Sequence, residues 1–211
     1  MKKPNSFYVL YPEEEMIRRY INAIKILSDS KQRTEAHITV RGPYKKRLSN
    51  ELIKNYSNVI SGESLIISDV QNFFAFNQNT VYFKCSHNDN LKKIWNKITY
   101  NSFTPHITLY DGGDRNFAIK LYNKLARGFE PFNYKVKELS YLEPKSNDAI
   151  GLYRLINVFK FNDFVDLINK QIDRNEIDNI ANEKKLEYIH LISQKIFTEY
   201  GINATANNKY T

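Results

Sequence analysis

Apolar positions along the chain follow two rhythms, one of period two and one of period 3.6, and their order occurs twice. Residues 6–11 (Ser6-Phe7-Tyr8-Val9-Leu10-Tyr11) are a run of β-formers closed by Pro12, which predicts a strand. Residues 13–28 carry Ile17, Tyr20, Ile21, Ile24 and Leu27 at helical spacing, with acids in the first turn. A strand over 35–41 is stopped by Gly42-Pro43. A helix over 50–60 and a long strand over 65–76 follow. After the polar turn Asn77-Gln78-Asn79 the series returns. It predicts a strand over 80–86, a helix over 90–98 with Leu91, Ile94, Trp95 and Ile98 inward, and a strand over 105–110. Gly112-Gly113 then turns the chain into a helix over 116–127, with Ala118, Leu121, Tyr122 and Leu125 inward. Strands over 132–142 and 149–161 complete it.

Strand, helix, strand, helix and extended sheet therefore recur, as an internal duplication does. The expected fold class is α+β: two pseudo-symmetric α/β lobes with antiparallel sheets around a central cleft, plus C-terminal helices. Beyond Phe161 the pattern changes to two amphipathic stretches. One is 163–174, with Phe164, Leu167, Ile168 and Ile172; the other is 183–200, with Leu186, Ile189, Ile192 and Ile196 and Gly201 as its stop. The expected organisation is a bilobal domain over 1–161 and a helical extension over 162–211 with a frayed tail. The apolar stripes of that extension need a cover, either the flank of the main domain or the same helices of another chain in a homo-oligomer.

A chain of 211 residues buries a sizeable core as one domain or one domain with an appendage. No run of some 18 apolar residues suits a membrane span, and the N-terminus leads into a strand rather than a signal-peptide core. The single cysteine, Cys85, excludes an internal disulfide and a multi-cysteine zinc site. A cytoplasmic protein is the simplest reading. The formal charge of +8, from 31 basic and 23 acidic residues, favours a polyanionic or phosphorylated partner, although an AT-rich genome also yields Lys-rich chains.

Candidate chemistry sits where the duplication is sharpest. His37-Ile38-Thr39-Val40 and His106-Ile107-Thr108-Leu109 place two of the four histidines 69 residues apart (His37 to His106) in near-identical strands. Residues i and i+2 of a strand share a face, so each strand aims an imidazole and a hydroxyl the same way while Ile38, Val40, Ile107 and Leu109 enter the core. Two facing imidazoles suit concerted proton transfer near neutral pH, and the threonine hydroxyls suit the non-bridging oxygens of a phosphate. Arg41 and Tyr110, each four residues past its histidine, reach the same cleft if the strands stay regular. Arg41 would then clamp phosphate, and Tyr110 would stack or donate. Chance recurrence of β-formers and a metal site are the competing accounts; the histidines lack a nearby carboxylate or thiol on their faces for the latter. His87 reads as a loop residue, His190 as helix packing, and Lys45-Lys46-Arg47 as a solvated loop or a phosphate attractor. No Walker, GxGxxG, zincin or nucleophile-elbow pattern is present.

Paired His-x-Thr phrases on strands of a repeated α/β unit resemble the 2H phosphoesterase superfamily, which includes 2′–5′ RNA ligase-like proteins and cyclic phosphodiesterases. The likeness covers about residues 5–161, with both motifs intact and His-Ile-Thr-Val-Arg-Gly-Pro similar to first motifs common there. It implies metal-independent, cofactor-free chemistry at 2′,3′-cyclic or 2′–5′ phosphodiesters, on RNA ends, oligonucleotides or cyclic nucleotides. It carries site roles to His37, Thr39, His106 and Thr108. It further implies that His106 activates water and His37 protonates the leaving ribose oxygen. Arg41 as a phosphate contact, and Tyr110, Tyr44 and Tyr8 as base or ribose contacts, rest on this chain's own residues. The other readings left open are an RNA- or nucleotide-binding module without turnover, a 2′–5′ ligase, and a helical extension that is itself the working part.

Overall fold

In the computed structural model, which describes residues 6–29, 34–142, 153–155, 170–172 and 177–202, the alternating segments form six strands of one antiparallel sheet. These are β1 (Ser6–Pro12), β2 (Ile38–Tyr44), β3 (Ser64–Asn72), β4 (Val81–Cys85), β5 (His106–Tyr110) and β6 (Phe132–Leu142). They lie in the order β1-β2-β5-β4-β3-β6, and β6 pairs back onto β1, so the sheet closes on itself. The helices are α1 (Glu15–Ser28), α2 (Asn50–Ile60), α3 (Asp89–Ile94), α4 (Arg115–Ala126) and α5 (Asn182–Tyr200).

The pairing register repeats along with the sequence. On β1 and β2, Tyr8, Val9 and Leu10 face Arg41, Thr39 and Ile38; on β4 and β5, Val81, Tyr82 and Phe83 face Tyr110, Thr108 and Ile107. Both ladders hold one extra residue directly after the motif threonine, Val40 in β2 and Leu109 in β5, which is the signature of a β-bulge. The other flanks recur as well: Val9 and Leu10 face Ser140 and Leu139, while Tyr82 and Phe83 face Gln71 and Val70. β2 and β5 meet at Ile38 and Ile107, one position in each phrase. The two motifs, expected on facing sheets, are therefore direct neighbours in a single sheet, joined by one described pair.

Tyr8, Leu10, Ile38, Val40, Phe83, Ile107 and Leu109 form one buried cluster with Ile17, Ile21 and Ile24 of α1 and Leu121 and Leu125 of α4. The helices cover the outer face of the closed sheet, so alternate residues, the histidines and threonines among them, turn inward.

Several expectations change. Of the two covers expected for the C-terminal helix, the main domain is the one found: Leu186, Ile189, Ile192, Ile196 and Phe197 of α5 belong to the same buried cluster, and α5 lies against α1 and α4. The amphipathic stretch 163–174 is read wrongly at its end, because Lys170–Ile172 (β8) is a strand paired with Tyr153–Leu155 (β7). The remainder of that stretch, the other residues expected in the 149–161 strand, and the tail lie outside the described residues. α3 stops at Ile94 and leaves Ile98 95 % exposed rather than inward. The long strand ends at Asn72, and Phe74–Phe76 make a single 3-10 turn. Gly42-Pro43 does not end its strand; β2 continues to Tyr44, which pairs with Ser6. Glycine is required there because φ is +124° and a Cβ would meet the Ser6 carbonyl at 2.9 Å.

Candidate active site

Antiparallel register about Ile38 and Ile107 sets His37 beside Thr108 and Thr39 beside His106. Diagonal neighbours of such a pair lie roughly 7–8 Å apart, room for one phosphate between two imidazoles. All four side chains are half-buried, whereas Ile38, Val40, Ile107 and Leu109 between them are fully enclosed. Among the described residues neither threonine hydroxyl has a hydrogen-bond partner, nor does Nε2 of either ring. None of the four is a fully enclosed unpaired atom, so all four meet solvent.

The two rings are held identically. Nδ1 of His37 lies 2.7 Å from the Glu35 carbonyl, and Nδ1 of His106 lies 2.7 Å from the Thr104 carbonyl, two residues upstream in each case. A carbonyl only accepts, so each Nδ1 carries the proton and each Nε2 is left as the basic, inward-facing nitrogen. Dense surroundings make the charged ring costly. Burial chiefly lowers the pKa of His37 to about 4, with the Lys25 ammonium and His106 adding to the depression and the Glu35 carbonyl opposing it. His106 is lowered too, mainly by burial, but the Thr104 carbonyl and the Asp111 carboxylate pull it back.

Residues that the sequence did not single out surround the pair. The Tyr11 ring stands edge-on to His37 at 6.0 Å under the Arg18 guanidinium, which lies 4.4 Å from the ring centre and bonds the Glu35 carboxylate. Burial, then Glu35, raises the Tyr11 hydroxyl above its usual pKa. Beside His106 stand Tyr82 at 4.8 Å and Phe73 at 5.5 Å between ring centres, with Phe76, 72 % exposed, next to Phe73. The Gln71 amide, bonded to Asp69, is carried opposite Tyr82 on β3. Lys25 of α1 is 3 % exposed, and its ammonium donates to Thr34 Oγ1 at 3.2 Å and to the Glu35 carbonyl at 3.4 Å. A run in which every β1 residue from Phe7 to Tyr11 is apolar hides strand parity, and a helical lysine gives no sequence signal of burial.

The bulges remove two expected members. Arg41 donates to the Ile94 carbonyl at 2.8 Å and to the Tyr44 hydroxyl at 3.2 Å, and lies over the Tyr56 ring at 4.4 Å, so its guanidinium is engaged by these groups, and no contact to either histidine is among its described partners. Tyr110 is buried, its hydroxyl accepting from the Asp114 N–H at 2.9 Å; a Cβ at Gly112 would sit 2.5 Å from that hydroxyl, which accounts for glycine in the turn. Tyr8 is fully buried in the core with its hydroxyl accepting from the Leu48 N–H, and Tyr44 packs on Tyr8 and Arg41. Tyr8 and Tyr110 are thus buried with their hydroxyls engaged by backbone N–H groups, while Tyr44 stays half-buried.

His87 is an exposed loop residue 3.0 Å from Asp89, and His190 of α5 is depressed by burial and by Lys124 and Arg127. Lys45, Lys46 and Arg47 are exposed, Arg47 lying over Tyr141. Burial pushes the Cys85 thiol up to about 12, which makes it inert as a nucleophile. No helix among the described residues is long and apolar enough to cross a membrane, and no cluster of three metal-ligating side chains occurs among them. Comparison with protein-family models and with curated proteins finds no match for the chain.

Proposed function

We propose that the chain is a metal-independent phosphodiesterase of the two-histidine kind, acting on 2′,3′-cyclic phosphates or 2′–5′ linkages of RNA ends, oligonucleotides or nucleotide messengers. The observation that carries this reading is the quartet. Two imidazoles with Nδ1 tied down and Nε2 free stand diagonally across one seam, with two unpartnered hydroxyls between them. Among the described residues all four polar atoms lack a protein partner and meet solvent, so they are open to a substrate's oxygens. The repeated register, bulge included, supports a duplicated bilobal unit of the kind that the resemblance implies.

In the proposed reaction one Nε2 takes the proton of the attacking water while the water oxygen bonds to phosphorus. The other Nε2–H gives its proton to the ribose oxygen as the phosphorus–oxygen bond breaks. Thr39 and Thr108 donate to the non-bridging oxygens. Phe73, Tyr82 and Phe76 offer a base a stacking surface beside His106, and the net positive charge draws the polyanion in. A binding module would need neither the second imidazole nor the matched tautomers.

The test is a panel of 2′,3′-cyclic mononucleotides, 2′–5′ oligoadenylates and cyclic dinucleotides incubated in EDTA, with products separated by chromatography. Hydrolysis that survives EDTA and is lost in His37→Ala meets the expectation. Activity that EDTA removes and zinc or manganese restores refutes it, and tight binding without any turnover favours the binding module.

A further inference from the structure

The sheet repeats its register across the site, but the charges behind the two histidines do not repeat. Glu35 and Thr104 are equivalent carbonyls, each two residues before its histidine and each taking that ring's Nδ1–H at 2.7 Å. The Glu35 carbonyl also receives the Lys25 ammonium at 3.4 Å. Among the described residues no lysine or arginine donates to the Thr104 carbonyl. Lys25 is held in place rather than swept there by chance: its stem is buried in the α1 core and Thr34 Oγ1 takes a second N–H. Asn22, one turn earlier on α1, anchors the same segment by accepting the Ala36 N–H at 2.5 Å.

We propose that Lys25 breaks the symmetry of the pair, keeping His37 the proton acceptor and leaving His106 the proton donor. An ammonium on the shared carbonyl withdraws electron density that the His37 Nδ1–H would otherwise draw on, and it repels an imidazolium in the same recess. The charged and titratable groups around His37 are Lys25, Arg18, the Glu35 carboxylate that Arg18 pairs, Tyr11 and His106. Around His106 stand Asp111 and Tyr82, the latter close to Asp69. The one carboxylate acting on His106 raises its pKa, and the ammonium acting on His37 lowers its own. Burial brings Lys25 itself down to about 8, with Asp29 and Glu35 opposing, so it is charged at neutral pH. In a hydrolytic step, water would give its proton to His37 Nε2 as its oxygen bonds to phosphorus, and His106 Nε2–H would protonate the departing ribose oxygen. These are the reverse of the roles that the resemblance implies. Lys25 acts through His37 and is a positioning residue.

The acid and base roles rest on the phosphodiesterase reading, whereas the order in which the rings titrate does not, so the two are tested apart. The first measurement is ring ¹⁵N NMR titration of the full-length protein, with signals assigned from single histidine variants. In the wild type His106 is expected to take its proton at higher pH than His37. In Lys25→Met, which keeps the buried stem, His37 is expected to move up by at least half a pH unit, and Lys25→Arg to restore most of the difference. A wild type in which His37 titrates at or above His106, or a folded Lys25→Met with His37 unmoved, overturns the proposal even if the enzyme is active. The second measurement uses a hydrolysed substrate carrying an activated aryl leaving group. His106→Asn is expected to retain far more of its rate on that ester than His37→Asn does. The opposite ranking overturns the role assignment while leaving the phosphodiesterase reading intact.

Discussion

A neutral imidazole with Nδ1 pinned to a carbonyl two residues back is one chemical unit, and the molecule contains it twice at a single seam. Removing either copy is expected to lower turnover on an established substrate by on the order of 10²–10⁴-fold. The fold should persist in His37→Ala and His106→Ala, because both side chains are half-exposed and the apolar neighbours Ile38 and Ile107 carry the packing. Near wild-type rates in either variant would end the two-histidine account. The same residues set an acid limb of stability. An unfolded histidine titrates near 6.5, whereas folded His37 is held down to about 4 by burial and Lys25. Between those values the unfolded chain binds a proton that the folded chain does not. The stabilisation is therefore complete above about pH 6.5 and is lost as the pH falls toward 4. His106, also lowered, adds in the same direction. Urea midpoints measured from about pH 7 to 4 should fall, and fall less steeply in His37→Gln; equal slopes would show that His37 is no more buried than in the unfolded chain.

At the scale of the element, the informative feature is the bulge that follows each threonine. A regular strand would have carried Arg41 and Tyr110 onto the inward face with the histidines. The extra residue in each ladder turns them off that face, toward α3 and Tyr56 in the first copy and toward the Asp114 turn in the second. Tyr110→Phe is thus expected to cost about 0.5–1.5 kcal/mol of stability through the lost turn hydrogen bonds, with KM and kcat unchanged. A several-fold rise in KM in a variant of undiminished stability would return Tyr110 to the site. The N-cap of α4 belongs to this same turn, since the Asp114 side chain accepts from the Phe117 N–H at 2.9 Å. Turn, cap and tyrosine hydroxyl therefore fail together.

For the whole molecule, the covering of the sheet matters most. Leu186, Ile189, Ile192, Ile196 and Phe197 of α5 are buried against the other helices and the sheet. At about 1.5–3 kcal/mol for each large apolar side chain buried, those five are comparable with the ~5–15 kcal/mol that separates a native domain from its unfolded chain. The cover that the C-terminal stripe needs is the main domain itself. Cutting the chain after Phe161 is therefore expected to abolish cooperative unfolding, measured by circular dichroism against temperature, rather than leave an active core. A truncated chain with a sharp transition near that of the full protein would show that α5 is dispensable.

Local spelling determined much of this protein. The helix over Asn50–Ile60 matches its expected bounds because its apolar period is unbroken and Ser49 caps it; the strand over Phe132–Leu142 matches as well, although its alternation slips by one residue between Val136 and Leu139. The His-x-Thr face follows from strand parity alone, which operates within a few residues. Tertiary structure decided what depends on partners far along the chain. The parity of β1 is invisible in five consecutive apolar residues, so Tyr8 is core and Tyr11 stands at the site. The bulges exist only in the pairing of two strands. Lys25, on a helix face, becomes an electrostatic neighbour of His37 only when α1 closes over the segment that begins β2. α5 joins the core because its stripe meets α1 and α4 from a distance that no local pattern encodes.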